Sequence, residues 1–152
     1  MKLFFTAALA FFFFLNLPAQ NQRITNETRE GFFMNPVFSG DYPDPSILVD
    51  GTDYYIVHSS FEYNPGLTIW HSKDLIQWAP VTNALTKYVG SVYAPELVNY
   101  KNKYYIYFPA ANTNFVVVAD AISGPWSDPV DLKIGTIDPG HIVDTDGKRS
   151  LY

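Results

Sequence analysis

Two stretches of the sequence, PSILVDGTDYYI at residues 45–56 and PELVNYKNKYYI at residues 95–106, decide the fold because they repeat one pattern. In each stretch a proline precedes a short apolar run, a polar turn follows, and a second apolar run opens on Tyr-Tyr-Ile. Asp50-Gly51 in the first copy is a strong signal for the tight turn of a β-hairpin. The pattern therefore predicts a hairpin of antiparallel strands in each copy.

The repeat extends beyond these hairpins. IWHSKDLIQWAPV at residues 69–81 matches VVADAISGPWSDPV at residues 117–130 with one insertion, so Trp78 and Trp126 occupy corresponding places. A third copy opens at Pro139, and the opening prolines are 50 and 44 residues apart. A period of roughly 40 to 50 residues with about four strands per copy is typical of β-propeller blades. We therefore favour a propeller over the alternative, a β-sandwich.

Short β-type runs separated by turns occupy most of the chain. They predict strands at residues 46–49, 54–57, 67–71, 97–98, 104–108 and 115–119, and helical turns only at 72–77 and 120–123. Residues 149–152 look like the beginning of a strand for which no later partner exists. We therefore expect an all-β fold that is truncated, with two full blades and part of a third.

The N-terminal residues have the three-part pattern of a secretory signal peptide. Lys2 supplies the positive start, residues 3–15 are almost wholly apolar, and the run breaks before Ala19, where we expect cleavage. The apolar stretch is short for a membrane span, and a buried N-terminal helix or anchor is the alternative. The sequence thus predicts a signal peptide at residues 1–19, a flexible leader at 20–34, a propeller segment at 35–152, and a secreted or periplasmic location.

The composition narrows the partners that the protein can have. The formal net charge is −5, and a mildly acidic chain argues against nucleic acid and anionic lipid. The sequence contains no cysteine, so it has neither a disulfide framework nor a thiolate metal site. Its three histidines lack the spacing of metal ligands. We expect no required cofactor, and no nucleic-acid or membrane partner after signal cleavage.

Two aspartates stand at the places where a propeller concentrates its chemistry. The first strand of each blade lines the central channel, so the residue before each opening proline lies at the channel mouth. In the three copies that residue is Asp44, Ala94 and Asp138. Carboxylates from different blades in one concave site suit acid–base chemistry on a sugar. The alternative is structural, because Asp-Pro is also a common turn dipeptide.

Around Asp44 the chain resembles a known family. The motif YPDPSI at residues 42–47 is similar to the N-terminal catalytic motif of glycoside hydrolase family 43, which includes β-xylosidases, arabinofuranosidases and arabinanases. Further similar segments follow in the family's order at residues 60–66, 71–78, 93–96, 124–129 and 137–141. The resemblance covers residues 35–152. It implies a five-bladed β-propeller, of which this chain holds roughly the first two and a half blades.

The resemblance also implies roles for individual residues. Asp44 would be the general base, and Asp138 would modulate the pKa of the general acid and orient the sugar. The acid would be a glutamate from a later blade, and Glu96 does not match its motif. Phe61 and Tyr93 match positions that wall the subsite of the terminal sugar, although most members carry tryptophan in place of Tyr93.

For the remaining aromatic and histidine side chains the sequence predicts only general roles. His141 would contact substrate if the chain bends at Gly140, whereas His58 and His71 are expected to be buried and hydrogen-bonded. The three tryptophans are expected to pack between blades: Trp70, Trp78 and Trp126. Some family members hold a calcium ion on the propeller axis, so a structural calcium is possible in the full-length protein, although no ligands for it are evident here.

These observations predict an inverting glycosidase that hydrolyses β-xylosides or α-L-arabinofuranosides of plant cell walls. One alternative is a propeller of the fructan- and sucrose-cleaving class, which typically carries Asn-Asp-Pro-Asn. This chain departs from that motif at Pro43 and Ser46, on either side of Asp44-Pro45. The other alternative is a non-catalytic carbohydrate-binding propeller. Because no residue matches the acid, we expect the fragment alone to be inactive.

Overall fold

The computed structural model describes residues 27–29, of which only the backbone is considered, together with residues 31–135 and 137–152. These residues form twelve strands and no helix, which confirms the predicted all-β class. None of them therefore forms a helix long and apolar enough to cross a membrane. The predicted signal peptide lies outside the described residues. Within the predicted leader, β1 (Glu27–Arg29) pairs with β2 (Phe32–Phe33).

The first repeat folds into a four-stranded antiparallel sheet, which we call blade 1. Its strands are β3 (Ser46–Asp50), β4 (Asp53–Val57), β5 (Gly66–Ser72) and β6 (Ala79–Leu85), and they pair in sequence order. The predicted turn at Asp50-Gly51 joins β3 to β4, and Gly51 has the positive φ of 62° that such a turn requires. The hairpin predicted from the Asp-Gly pair is thus confirmed.

The second repeat folds in the same way and forms blade 2. Its strands are β7 (Glu96–Tyr100), β8 (Lys103–Ala110), β9 (Thr113–Ala119) and β10 (Val130–Asp131), again paired in sequence order. The register matches that of blade 1, because Ser46 lies opposite Val57 in blade 1 and Glu96 lies opposite Tyr107 in blade 2. The sequence repeat therefore corresponds to a repeat of structure.

The third repeat is a hairpin of β11 (His141–Val143) and β12 (Arg149–Leu151). The strand predicted at the end of the sequence is present, and it pairs with an earlier strand. Its partner precedes it in the chain, since the Asp146-Gly147 turn folds β12 back onto β11. Gly147 has a φ of 81°, as this turn requires.

The core lies between blades 1 and 2. One cluster of buried apolar side chains from both blades and their connection fills it: Val57, Leu67, Ile69, Ala84, Leu85, Val92, Leu97, Ile106, Phe108, Ala110 and Val117. Burial of this many apolar side chains is the main force that holds the two sheets together.

The connection between the third and fourth strands is alike in the two blades. The indole N–H of Trp78 donates to the Leu75 carbonyl at 3.1 Å, and that of Trp126 donates to the Ile122 carbonyl at 3.2 Å. The expected equivalence of the two tryptophans is confirmed. The helical turn expected at residues 72–77 is absent because the Ser72 and Asp74 side chains accept the local backbone N–H groups. At residues 120–123 the expected turn is present without a helix, since the Gly124 N–H donates to the Ala121 carbonyl at 2.8 Å.

Candidate active site

Asp44 ends the segment that leads into β3 of blade 1. It is exposed and adopts a left-handed conformation with a φ of 54°, which aspartate tolerates better than most residues. The Ser59 hydroxyl donates a hydrogen bond of 2.6 Å to Asp44 Oδ2, and the Ser59 backbone N–H donates to the Pro43 carbonyl at 3.1 Å. The carboxylate is thus presented to solvent while one of its oxygens is held.

Asp138 occupies the corresponding place before β11. It is also exposed, and its φ of 55° nearly equals that of Asp44. Pro139, which follows it, is buried, so the turn is anchored although the aspartate is not. The two aspartates predicted to act together therefore share one backbone conformation and one position in their repeats.

The first strands of the three repeats meet at the carboxyl of Glu96. The Ser46 hydroxyl donates to Glu96 Oε2 at 3.3 Å and accepts the Leu97 N–H at 3.0 Å. The His141 backbone N–H also donates to the Glu96 carboxyl. Burial raises the pKa of Glu96, and the bonds from Ser46 and His141 oppose that rise. This carboxyl therefore joins the strands that follow Asp44 and Asp138.

Phe61 and Tyr93, the two residues predicted to wall the subsite of the terminal sugar, are brought together. Phe61 forms an isolated antiparallel bridge with Val92, through backbone bonds of 2.8 and 3.0 Å. The rings of Phe61 and Tyr93 then meet edge to face at a centroid distance of 5.8 Å. Tyr93 is 42% exposed, so the pair forms an aromatic surface at the junction of blades 1 and 2. An aromatic pair in which Tyr93 is exposed and Phe61 is half-buried can pack against a sugar ring.

Two cavities flank this aromatic pair. The first measures about 320 Å³ and reaches from Tyr93 to Gly135 and Ile137. The second measures about 390 Å³ and is lined by residues that include Phe61, Ser59, Ser60 and Trp70. Ser60 Oγ is buried there and has no hydrogen-bond partner among the described residues. Trp70, expected to pack between blades, lines this cavity and contacts Phe38 and Tyr42.

His141 lies in a cluster between the second and third repeats. Its ring stacks on Tyr107 at a centroid distance of 5.7 Å, and its Nε2 accepts a hydrogen bond of 3.1 Å from Arg149. The Arg149 guanidinium also lies over the rings of Tyr100 and Tyr105. Burial, followed by the nearby Arg149 charge, lowers the pKa of His141. Through these contacts His141 packs between the second and third repeats. Its contact with substrate stays a prediction.

The other two histidines are hydrogen-bonded as expected. His58 is buried, and its Nδ1 lies 2.8 Å from the Ser59 carbonyl. His71 is half-buried, pairs with Asp53 and stacks on Tyr55. Across the described part of the chain, no three His, Asp or Glu side chains converge as metal ligands would.

Ser59 is the residue of this site that sequence reasoning missed. The signal for it lies in the repeat itself, because the register that aligns Val57 with Tyr107 places Ser59 at the position of Pro109. The same repeat places Asp44 at the position of Ala94. The hydroxyl and the carboxylate thus occur together in the first copy, and both are absent from the second.

Two consecutive four-stranded blades and the hairpin of a third, with aspartates before the first and third repeats and an aromatic pair between blades 1 and 2, are typical of the β-propeller class of carbohydrate-processing proteins. The chain belongs to the glycosyl hydrolases family 43, whose family model matches residues 33–152. The family fold is a five-bladed propeller, and the described residues form two blades and a hairpin of a third. The resemblance inferred from the motifs is confirmed.

Relatives of known name agree with this assignment. The chain is 39% identical over 137 residues to a xylan 1,3-beta-xylosidase of Vibrio, a match that covers 77% of the chain and 26% of the relative. It is 38% identical to a non-reducing end alpha-L-arabinofuranosidase of Bacteroides ovatus, over 76% and 25% of the two chains. The crystal structure of a xylan beta-1,4-xylosidase from Bacillus halodurans superposes with a TM-score of 0.69 at 36% identity, covering 77% and 26%. The chain therefore spans about a quarter of the length of these relatives.

Proposed function

We propose that the whole protein is a glycoside hydrolase that cleaves O-glycosyl bonds of plant cell-wall pentosides with inversion of configuration. Its substrate class is β-xylosides or α-L-arabinofuranosides. The observation that carries this proposal is the exposed Asp44 carboxylate, held through one oxygen by Ser59 at the start of the first blade of a family 43 chain. The named relatives, which include a xylosidase and an arabinofuranosidase, support the same class of substrate.

Asp44 acts as the general base in this proposal. One oxygen, Oδ2, accepts the Ser59 hydroxyl, and the other, Oδ1, takes a proton from a water molecule. The water then attacks the anomeric carbon from the face opposite to the leaving group, while a protonated carboxyl gives its proton to the leaving oxygen. In an inverting enzyme the two carboxyls stand about 6.5 to 9.5 Å apart so that the water fits. A glutamate from another part of the protein supplies the acid.

Asp138 supports this chemistry from the third repeat. Its carboxylate raises the proton affinity of a neighbouring acid, because a nearby like charge disfavours ionisation, and it accepts hydrogen bonds from sugar hydroxyls. The platform of Phe61 and Tyr93 binds the apolar face of the terminal sugar. Because Tyr93 carries a hydroxyl, the platform also offers a polar group at its exposed edge.

Hydrolysis of synthetic glycosides by the whole protein tests this function. We expect release of the aryl group from an aryl β-xyloside or an aryl α-L-arabinofuranoside, with the first-formed sugar of inverted anomeric configuration in proton NMR spectra. Retention of configuration would assign a double displacement and remove Asp44 from the role of base. Binding of xylo-oligosaccharides without turnover would instead favour the non-catalytic carbohydrate-binding alternative.

We also propose that the protein is exported, on the basis of Lys2 and the apolar run at residues 3–15. N-terminal sequencing of the protein recovered outside the cytoplasm should begin at Gln20. A mature product that still carries the four phenylalanines at residues 11–14 would contradict cleavage after Ala19.

A further inference from the structure

The Asp44 carboxylate is the end of a chain of hydrogen bonds that begins in β5. Trp70 Nε1 donates to His58 Nε2 at 3.2 Å, and His58 Nδ1 lies 2.8 Å from the Ser59 carbonyl oxygen. The Ser59 hydroxyl then donates to Asp44 Oδ2 at 2.6 Å. His58 is 6% exposed and Ser59 is 2% exposed, so water does not compete strongly for these bonds.

The donors and acceptors of this chain are mutually consistent. Trp70 can only donate, so His58 Nε2 must accept, and His58 Nδ1 carries the proton that is donated to the Ser59 carbonyl. The backbone of Ser59 is held a second time by its N–H bond to Pro43. Ser59 therefore has a fixed backbone, and its hydroxyl faces the carboxylate.

Blade 2 shows that a blade folds without these groups. At the positions that correspond to Asp44, His58 and Ser59 it has Ala94, Phe108 and Pro109. The backbone contact is retained in reversed direction, because the Tyr93 N–H donates to the Pro109 carbonyl at 3.1 Å. The Ser59 hydroxyl is thus an addition to the blade and not a requirement for building it.

We propose that Ser59 is a positioning residue for the general base Asp44, and that His58 and Trp70 hold Ser59 in place. This inference rests on the proposed function. Asp44 is exposed, and an exposed carboxylate samples several rotamers unless a bond restricts it. The Ser59 hydroxyl selects the rotamer in which Oδ2 is occupied and Oδ1 is directed to the attacking water. A short bond from a buried hydroxyl to a carboxylate is among the stronger hydrogen bonds in proteins.

The variant Ser59→Ala in the whole protein tests this proposal. Its backbone N–H still donates to Pro43, so the loop is kept and the hydroxyl alone is lost. We expect kcat to fall about 10- to 100-fold, as for the loss of a hydrogen bond to a charged group, with KM changed less than about twofold. Ser59→Thr keeps a hydroxyl and should restore kcat to within about threefold of wild type.

Ser72→Ala is the matched control. Ser72 is another buried serine of blade 1, and its hydroxyl bonds to the turn after β5. Its loss should lower thermal stability and leave kcat unchanged. A second test places Ser59→Ala in an Asp44→Asn background, where it should have no further effect because its partner has already been altered.

The outcomes separate this inference from the proposed function. A wild-type protein without glycosidase activity would overturn the proposed function. An active wild type with Ser59→Ala at an unchanged kcat, or a full additional loss in the Asp44→Asn background, would overturn only the positioning role. If Ser59→Ala does not fold, Ser59→Cys provides the same test, because a thiol of similar size is a much weaker donor.

Discussion

Blades 1 and 2 have the same four-strand order, the same register and the same tryptophan after the third strand, yet they differ at the mouth of the channel. Blade 1 carries Asp44 and Ser59 there, and blade 2 carries Ala94 and Pro109. The parts that the blades share are those that bury apolar surface and close turns. The parts in which they differ are those that can perform chemistry, so the difference between repeats locates the site more sharply than the repeat itself.

The largest expected effect is the loss of activity when Asp44, the aspartate that blade 2 lacks, is replaced. In the whole protein, Asp44→Asn should reduce kcat/KM for an aryl glycoside by about two to four orders of magnitude, the usual contribution of general acid–base catalysis. Asp120→Asn is a suitable control, because Asp120 is a highly exposed aspartate that pairs with Lys103 at the surface of blade 2. Steady-state kinetics measures both. Equal losses of kcat/KM in the two variants would contradict a special catalytic role for the aspartate of blade 1.

The next largest effect is a loss of stability when the core that the two blades share is altered. Phe108 is fully buried and stacks on Phe115, so Phe108→Ala should lower the free energy of unfolding by about 3 to 5 kcal/mol. Val49→Ala, on a β3 side chain that is 59% exposed, should change it by about 0.5 kcal/mol or less. Denaturant unfolding of the whole protein compares them. A small cost at Phe108 would show that the blades do not share one core.

A smaller, pH-dependent contribution to stability is expected from Tyr104, which joins blade 2 to blade 1. Its hydroxyl donates to the Asp50 carboxylate of blade 1, and this bond, aided by burial, raises the pKa of Tyr104 to about 12. Because the folded pKa exceeds the ordinary value of 10, this contribution is complete below pH 10 and is lost as the pH rises towards 12.

Tyr104→Phe should therefore destabilise the protein at pH 9 and lose less stability than wild type between pH 10 and 12. Melting temperatures across that range give the result. Tyr54→Phe, at the corresponding position of blade 1, is the matched control for the loss of a hydroxyl. If Tyr104→Phe and wild type decline in parallel, the bond to Asp50 does not link the blades.

The smallest effect tests the equivalence of the two tryptophan turns. Trp78→Phe and Trp126→Phe each remove one indole N–H bond to a backbone carbonyl. A neutral hydrogen bond contributes about 0.5 to 1.5 kcal/mol, so both variants should lose a similar, modest amount of unfolding free energy. A cost several times larger for one of them would mean that the two turns only look alike.

Much of the fold could be predicted because it follows from local patterns. The strands that bear Tyr54 and Tyr104 have apolar β-type residues, and Asp50-Gly51 closes the first hairpin by its own preference. The fourth strands could not be predicted. Residues 79–85 mix proline, asparagine and alanine without alternation, and β10 has only two residues. These strands form because a preceding strand offers them an edge.

The candidate site was predicted in part for the same reason. Asp44 and Asp138 stand at fixed offsets from prolines, and a repeat reveals such offsets. The contact of Phe61 with Tyr93 depends on the bridge to Val92, and the bond from Ser59 to Asp44 joins residues 15 apart in sequence. Such contacts depend on how the sheets pack, which the pattern along one strand does not determine.

The carboxyl of Glu96 has a consequence for how such a protein can be rearranged. It receives hydrogen bonds from the first strands of the repeats on both sides, so the first strand of blade 2 is bonded to both neighbouring repeats. A duplicate of blade 1 in the second position would place serine where Glu96 stands and aspartate where Ala94 stands. The shared carboxyl would then be lost, and a third charge would be added at the channel mouth. Blades with the same strand order are therefore not interchangeable. A propeller assembled from identical copies of blade 1 would need different hydrogen bonds between the first strands of neighbouring blades.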